Sequence, residues 1–277
     1  MTKFGAIHQV DQKTIDEMYN GYSPVFILTT GRTGSKFTAA LLDLSPNVAA
    51  FHEPRPALQY FSHYAFHHQE EAGILEKMID AARMESILDI FIKEKIYVES
   101  NQSLTFFAPV LATLFKKSKF VHLVRHPGDF TRSALRKGWH KNDSIWESGR
   151  VKMADGKQWM KMDQIQRLSW LWMVTNRFIE EFKMGIESQR FMSLKFEDLI
   201  ESEDGVRKLL DFTGAENIEN IKEIQSKKIG DLYISPNQPP NIKKIVEFPV
   251  YNDWDRDMKN SVNKYSGKLA GLYGYQL

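Results

Sequence analysis

A short β-rich run that breaks on glycine and restarts as a helix constrains this chain more than any other stretch. Val25 to Phe37 reads VFILTTGRTGSKF, and TAALLDL follows as an amphipathic helix start. A buried strand that turns through glycines into a helix aims unbonded N–H groups and the positive end of the helix dipole at one spot. The turn, Gly31, Arg32, Thr33, Gly34, Ser35, Lys36 and Phe37, is therefore suited to an anion. Arg32 and Lys36 oppose the dipole unless an anion offsets them. The phosphate loop of ATPases needs four residues between its glycines, then Lys-Ser/Thr. Here only Arg32 and Thr33 separate Gly31 from Gly34. The turn is phosphate-binding in style but not of that kind; a plain glycine-rich connection is the structural alternative.

Taken in order, the chain alternates strands with helices. Residues 1–23 read as an N-terminal extension. Strands are expected at Val25–Thr30, Val48–Phe51, Ile96–Glu99, Phe120–Val124 and Arg190–Phe196. Helices are expected at Ser35–Leu44, across much of 56–92, at Leu104–Phe115, after Pro127 to about Lys137, at 163–184, from Glu197, at 204–213, 217–226 and Trp254–Tyr265. Residues 138–160 show no period and hold Trp139, Trp146 and Trp159; Ser235 to Pro249 reads as a proline-rich loop. This pattern predicts one α/β domain over 1–277, with a mostly parallel, five-stranded central sheet flanked by helices. Ligands in such sheets sit at the C-terminal strand ends, where Gly31, Glu53, Asn101 and Arg125 would converge.

The formal net charge of +2 gives no reason to expect bulk nucleic-acid binding. No cysteine is present, so disulfides, thiolate metal sites and thiol catalysis are excluded. The first residues lack a signal-peptide core, and no run is long enough to span a bilayer. The expectation is a soluble, cytoplasmic protein, in which the Asn101 and Asn142 glycosylation triplets are chance matches.

A second segment, LVRHPGDFTRSALRKG, ends a buried strand on Arg125 and places Ser133 eight residues on, in the following helix. Arginine binds phosphate through paired donors and a serine hydroxyl adds another, so both can face one phosphate. The alternative is an Arg125–Asp129 ion pair. Together the two segments resemble the PAPS-dependent sulfotransferases, in their bacterial and carbohydrate-type branches. RLSWLWMVTNRFIEEF (167–182) and RFMSLKFEDLIES (190–202) add to the likeness, which covers about residues 24–215. Lys36 stands where the family often has a small hydroxyl residue.

The resemblance implies a three-layer, P-loop-like fold and sulfuryl transfer from 3′-phosphoadenosine-5′-phosphosulfate (PAPS) to an acceptor hydroxyl, leaving PAP. It implies that Gly31 to Phe37 grip the 5′-phosphosulfate and that Arg125 and Ser133 hold the 3′-phosphate. Arg32 would offset charge on the leaving phosphate. Glu53, in His52-Glu53-Pro54, would be the base. On its residues alone Glu53 could equally cap a helix or pair with Arg55, and His52 is a rival base, with His126 and His140 weaker candidates. The expected acceptor is a carbohydrate, glycolipid or other small metabolite, and no metal is expected. Residues 138–160 are either an acceptor-binding loop or a loop whose tryptophans enter the core; 227–277 form a C-terminal loop and closing helix. The competing readings are a P-loop kinase or NTPase and a non-catalytic nucleotide-binding adaptor.

Overall fold

The structure, a computed structural model, describes residues 10–141, 150–226 and 248–277. Strands β1 (Val25–Leu28), β2 (Val48–His52), β3 (Ile96–Ser100), β4 (Lys119–Val124) and β5 (Phe191–Lys195) form one sheet. Its order is β2-β3-β1-β4-β5, and every neighbouring pair is parallel. The helices are α1 (Gln12–Asn20), α2 (Ser35–Leu42), α3 (Gln59–His67), α4 (Ala72–Ile92), α5 (Ala108–Leu114), α6 (Pro127–Leu135), α7 (Gly156–Lys161), α8 (Gln164–Lys183), α9 (Phe196–Glu201), α10 (Glu203–Thr213), α11 (Ile221–Ser226) and α12 (Arg256–Leu272).

Both faces of the sheet are covered, as a parallel sheet requires. Phe26 and Leu28 of β1 face the larger core, with Tyr97, Phe120 and residues of α4, α5 and α8. Val25 and Ile27 alternate to the smaller core, with Val98, Val121 and residues of α2, α10 and α11. This is the three-layer α/β arrangement the pattern implied. From β1 the chain runs outward through α2 to β2, returns to β3, and then crosses β1 to reach β4. That reversal places the β1–α2 turn at the switch point, where a crevice forms at the C-terminal strand ends.

Several boundaries differ from expectation for local reasons. β1 stops at Leu28 because Thr29 leaves the ladder: its N–H donates to Thr105 Oγ1 at 3.1 Å, and its C=O accepts from the same hydroxyl at 3.0 Å. The N-terminal extension contains α1, capped by Asp11 and anchored by fully buried Met18. The helical patterning of 56–92 resolves into two helices, α3 and α4. The closing helix runs to Leu272, beyond Tyr265, because small residues let it lie against α8. Ser266 and Ala270 are fully buried, and Ser266 Oγ donates to Ser169 O at 3.1 Å. Residues 142–149 and 227–247, with Trp146, the Asn142 triplet and most of the proline-rich loop, lie outside the described residues. Among the described residues, no helix is long and apolar enough to cross a membrane.

Candidate active site

The turn after β1 is held open by glycine. Gly31 (φ 74°) and Gly34 (φ 81°) both lie in the left-handed region, which favours residues without a Cβ. A Cβ at Gly31 would collide with Gln102 Oε1 and the Trp139 ring, and one at Gly34 with the Phe196 ring. Gly34 caps α2 without a side-chain hydrogen bond, so the first amides of α2 face the turn with the positive end of its dipole. Arg32, at φ 56°, is a non-glycine residue in the same region. Such conformations persist where the surroundings enforce them, commonly at functional sites.

Arg32 and the β4–α6 segment are stitched together. Arg32 Nε donates to Ser133 Oγ at 3.1 Å, and Arg125 Nη1 donates to Arg32 O at 3.1 Å. The Arg125 guanidinium lies 4.6 Å from the centre of the Phe196 ring at the start of α9, and its Nε is buried without a hydrogen-bond partner. Its direct bonds thus go to the turn rather than into a pair with Asp129. Burial depresses the pKa of Arg32; Arg125 and Arg136 press the same way, while Glu53 opposes them. Burial likewise depresses Arg125, against the pull of Asp129 and Glu197. Partly desolvated guanidinium groups facing one another form a site that an anion stabilises.

The resulting cleft, about 310 Å³, is lined by Gly31, Arg32, Gly34, Ser35, Lys36, Arg125 and Ser133, with Phe196 and Gln102. Thr33 and Phe37 are not among its walls. Thr33 is buried with its hydroxyl against that of Thr29, and Phe37 belongs to the smaller core. Seven of the nine residues expected around the donor are therefore brought together, and the side chains of the other two point inward.

A second cleft, about 240 Å³, adjoins the first, and both are walled by Arg32, His52, Glu53, Gln102 and Trp139. Its own walls include Gln59, Asn101 and Arg150. Glu53, just past β2, has φ 48° and donates its N–H to Ser100 O at 3.1 Å. His52 is held below the usual imidazole range by burial, with Glu53 opposing, and its Nδ1 is buried without a hydrogen-bond partner. It is therefore neutral at neutral pH and able to accept a proton. His126 is a cap: its Nδ1 accepts from Gly128 N at 3.2 Å, and its N–H donates to Glu197 Oε1 at 3.0 Å. His140 is buried beside Trp159, away from both clefts.

The two described tryptophans of 138–160 differ in placement. Trp139 walls both clefts, under the Arg150 guanidinium at 4.1 Å, whereas Trp159 is buried against Trp170. Sequence reasoning missed Gln102, Phe196 and Arg136. Phe196 lay inside a segment already singled out, and its place just after β5 was the available signal. Among the described residues, one His–carboxylate group gathers metal-ligand atoms, His68 with Glu70 and Glu71, and none of these walls either cleft.

Comparisons with known proteins bear on the family and the fold. The model of the sulfotransferase family matches residues 24–219. No protein of curated function matches the sequence. Among solved structures, the sulfotransferase domain of the Synechococcus PCC 7002 olefin synthase is similar at 18% identity and TM-score 0.55, covering 92% of this chain and 97% of that one. The sulfotransferase domain from the curacin biosynthetic pathway is similar at 17% identity and TM-score 0.55, covering 92% and 99%. A sulfotransferase from Alicyclobacillus acidocaldarius gives 13% identity and TM-score 0.52, covering 93% and 98%. At these identities the likeness is one of fold.

Proposed function

The chain belongs to the sulfotransferase family, and from that premise we propose that it moves a sulfuryl group from PAPS to the hydroxyl of a carbohydrate, glycolipid or other small polar metabolite. The observation that carries this reading is the pair of adjoining clefts with Glu53 and Arg32 in the wall between them. The first suits the donor: its walls combine Ser35 and Lys36 at the start of α2 with Arg32, Arg125 and Ser133. The cradle whose space a Cβ would fill and the unpartnered Arg125 Nε fit two separate phosphate groups.

In this reading the acceptor oxygen bonds to sulfur as the sulfur–oxygen bond to the 5′-phosphate breaks, and PAP leaves with the negative charge. Arg32 and the α2 amides offset that charge, and Arg125 with Ser133 fixes the 3′-phosphate. Glu53 takes the hydroxyl proton. The side-chain amides of Gln102 and Gln59 and the Trp139 ring, all in the second cleft, favour a polar, ring-bearing acceptor. A kinase or NTPase reading has no matching support in the turn's short spacing.

The test is sulfated product by mass spectrometry, with PAPS and a panel of sugar, lipid, peptide and phenol acceptors. Glu53→Gln is expected to lower turnover roughly a hundredfold or more, the scale of a lost general base, with PAP affinity intact. His52 is the second candidate because it is neutral and walls both clefts. Near-normal turnover in Glu53→Gln with a large loss in His52→Asn would move the role to His52.

A further inference from the structure

Beneath the turn that carries Glu53 lies an ion pair that the proposed chemistry does not use. Arg83 of α4 is 1% exposed and Glu99 of β3 is fully buried. They meet in a two-point contact, Arg83 Nε to Glu99 Oε2 at 2.7 Å and Nη2 to Oε1 at 2.9 Å. Glu99 also accepts from Tyr97 Oη at 2.8 Å and from Asn101 Nδ2 at 2.9 Å. The rest of the Arg83 fork donates to the carbonyls of Pro56 at 3.1 Å, Pro54 at 3.4 Å and Ala82 at 3.0 Å.

A buried ion pair is weak as a device for stability alone, because desolvation largely offsets the attraction and apolar residues of similar volume often serve as well. Apolar residues could not bridge what this pair bridges. On one side are the carbonyls of the turn that follows Glu53; on the other is Asn101, at the end of β3 and in the acceptor-side wall. Glu53 sits between them with its left-handed backbone, and its own N–H, donated to Ser100 O, ties it to the same strand end. Arginine suits the position because its planar fork can bond a carboxylate and separate carbonyls at once. Asn101 is committed as well, since its Oδ1 accepts from Ser103 N at 2.9 Å.

We propose that Arg83 and Glu99 are the positioning pair of the acceptor side: they clamp the His52–Pro56 turn to the end of β3 and so fix the direction of the Glu53 carboxylate. The proposal rests on Glu53 being the base. Neither Arg83 nor Glu99 walls a cleft, so both act through other residues.

Two variants separate positioning from mere stability. Arg83→Lys keeps the charge opposite Glu99 but loses the fork that reaches the proline carbonyls. Arg83→Met with Glu99→Leu removes the charges together and keeps the volume. In either variant that unfolds at a near-native temperature, PAP affinity by calorimetry is expected to stay within about threefold of wild type. Turnover is expected to fall roughly tenfold to a hundredfold, the scale of a misplaced reacting group, with less change in acceptor KM. Hydrogen exchange over residues 48–58 should rise while that of β1 and β4 stays protected. Native turnover and native exchange in Arg83→Lys would overturn the proposal, and that variant decides if the double variant does not fold. Wild-type protein that binds PAP but sulfates nothing would instead refute the reading beneath it, and the exchange measurement would still decide whether the clamp exists.

Discussion

Arg32 and Glu53 are the two residues to which the proposed chemistry assigns charge work, and both hold left-handed backbone conformations. For residues with a Cβ this costs on the order of 1–2 kcal/mol each. In each case the chain turns sharply just past a strand and delivers a charged side chain to the wall between the clefts. Sequence gave no warning of these angles, because nothing about an arginine or a glutamate announces a positive φ. Arg125 was legible for the opposite reason: a charge ending an apolar strand asks for a partner. Its partners, the Arg32 carbonyl and the Phe196 ring, were not legible, since each lies far away in the chain. Arg125→Ala is expected to weaken PAP binding by about 1.5–3 kcal/mol, the range for hydrogen bonds to charged groups, or roughly tenfold to a hundredfold. The acceptor KM should stay within about twofold. Calorimetry with PAP checks this, and unchanged PAP affinity would remove Arg125 from the 3′-phosphate site.

Among elements, the strand–turn–helix unit from β1 to α2 was the most readable because its signals are all local: an apolar run, two glycines, and a helix start bearing cations. The turn's walls come from Gln102 after β3, from Ser133 in α6 with Trp139 beyond it, and from Phe196 at the start of α9, which only the sheet order brings alongside. That is why Gln102 and Phe196 escaped notice and why the motif alone did not show that the Thr33 and Phe37 side chains turn inward. Within a continuous motif, sequence does not distinguish residues that face a ligand from those that face the core. Gly34 gives this element a sharp test. Alanine there must hold φ near 81° and push its Cβ into the Phe196 ring. Gly34→Ala is expected to lower stability by about 1–3 kcal/mol, from backbone strain with overpacking. It should also weaken PAP binding by more than the distant Gly156→Ala, where a Cβ meets open space. Thermal unfolding and calorimetry on the two variants check this; equal PAP affinities would mean that the turn tolerates a side chain and is not moulded to a phosphate.

At the scale of the whole molecule, the parallel order β2-β3-β1-β4-β5 does most to define the site, since it sets the ends of β1, β2, β3 and β4 along one edge. Strand–helix alternation was enough to foresee the layers and that convergence. It was not enough to foresee which polar groups the cores would enclose, because burial depends on packing across the sheet. His140 is the plainest case, a weak base candidate that proves to be buried, with φ 54°. Burial, reinforced by Arg150, Lys152 and Arg167, lowers its pKa from 6.5 to about 3. In the unfolded chain it would titrate near 6.5. Between those values the unfolded state binds the extra proton, so stability must fall as pH drops from about 6.5 towards 3, with no further loss below. One such group contributes a slope of up to about 1.4 kcal/mol per pH unit. Burial lowers His52, His63 and His67 as well, so the wild-type curve sums several groups and only a difference isolates His140. His140→Asn, followed by urea unfolding at intervals from pH 7 to pH 4, is expected to be less stable than wild type at pH 7 but to lose stability more slowly as the solution is acidified. The gap between the curves should narrow steadily below pH 6.5; parallel curves would mean that the imidazole is protonated within the fold and that the cationic surroundings do not exclude its charge.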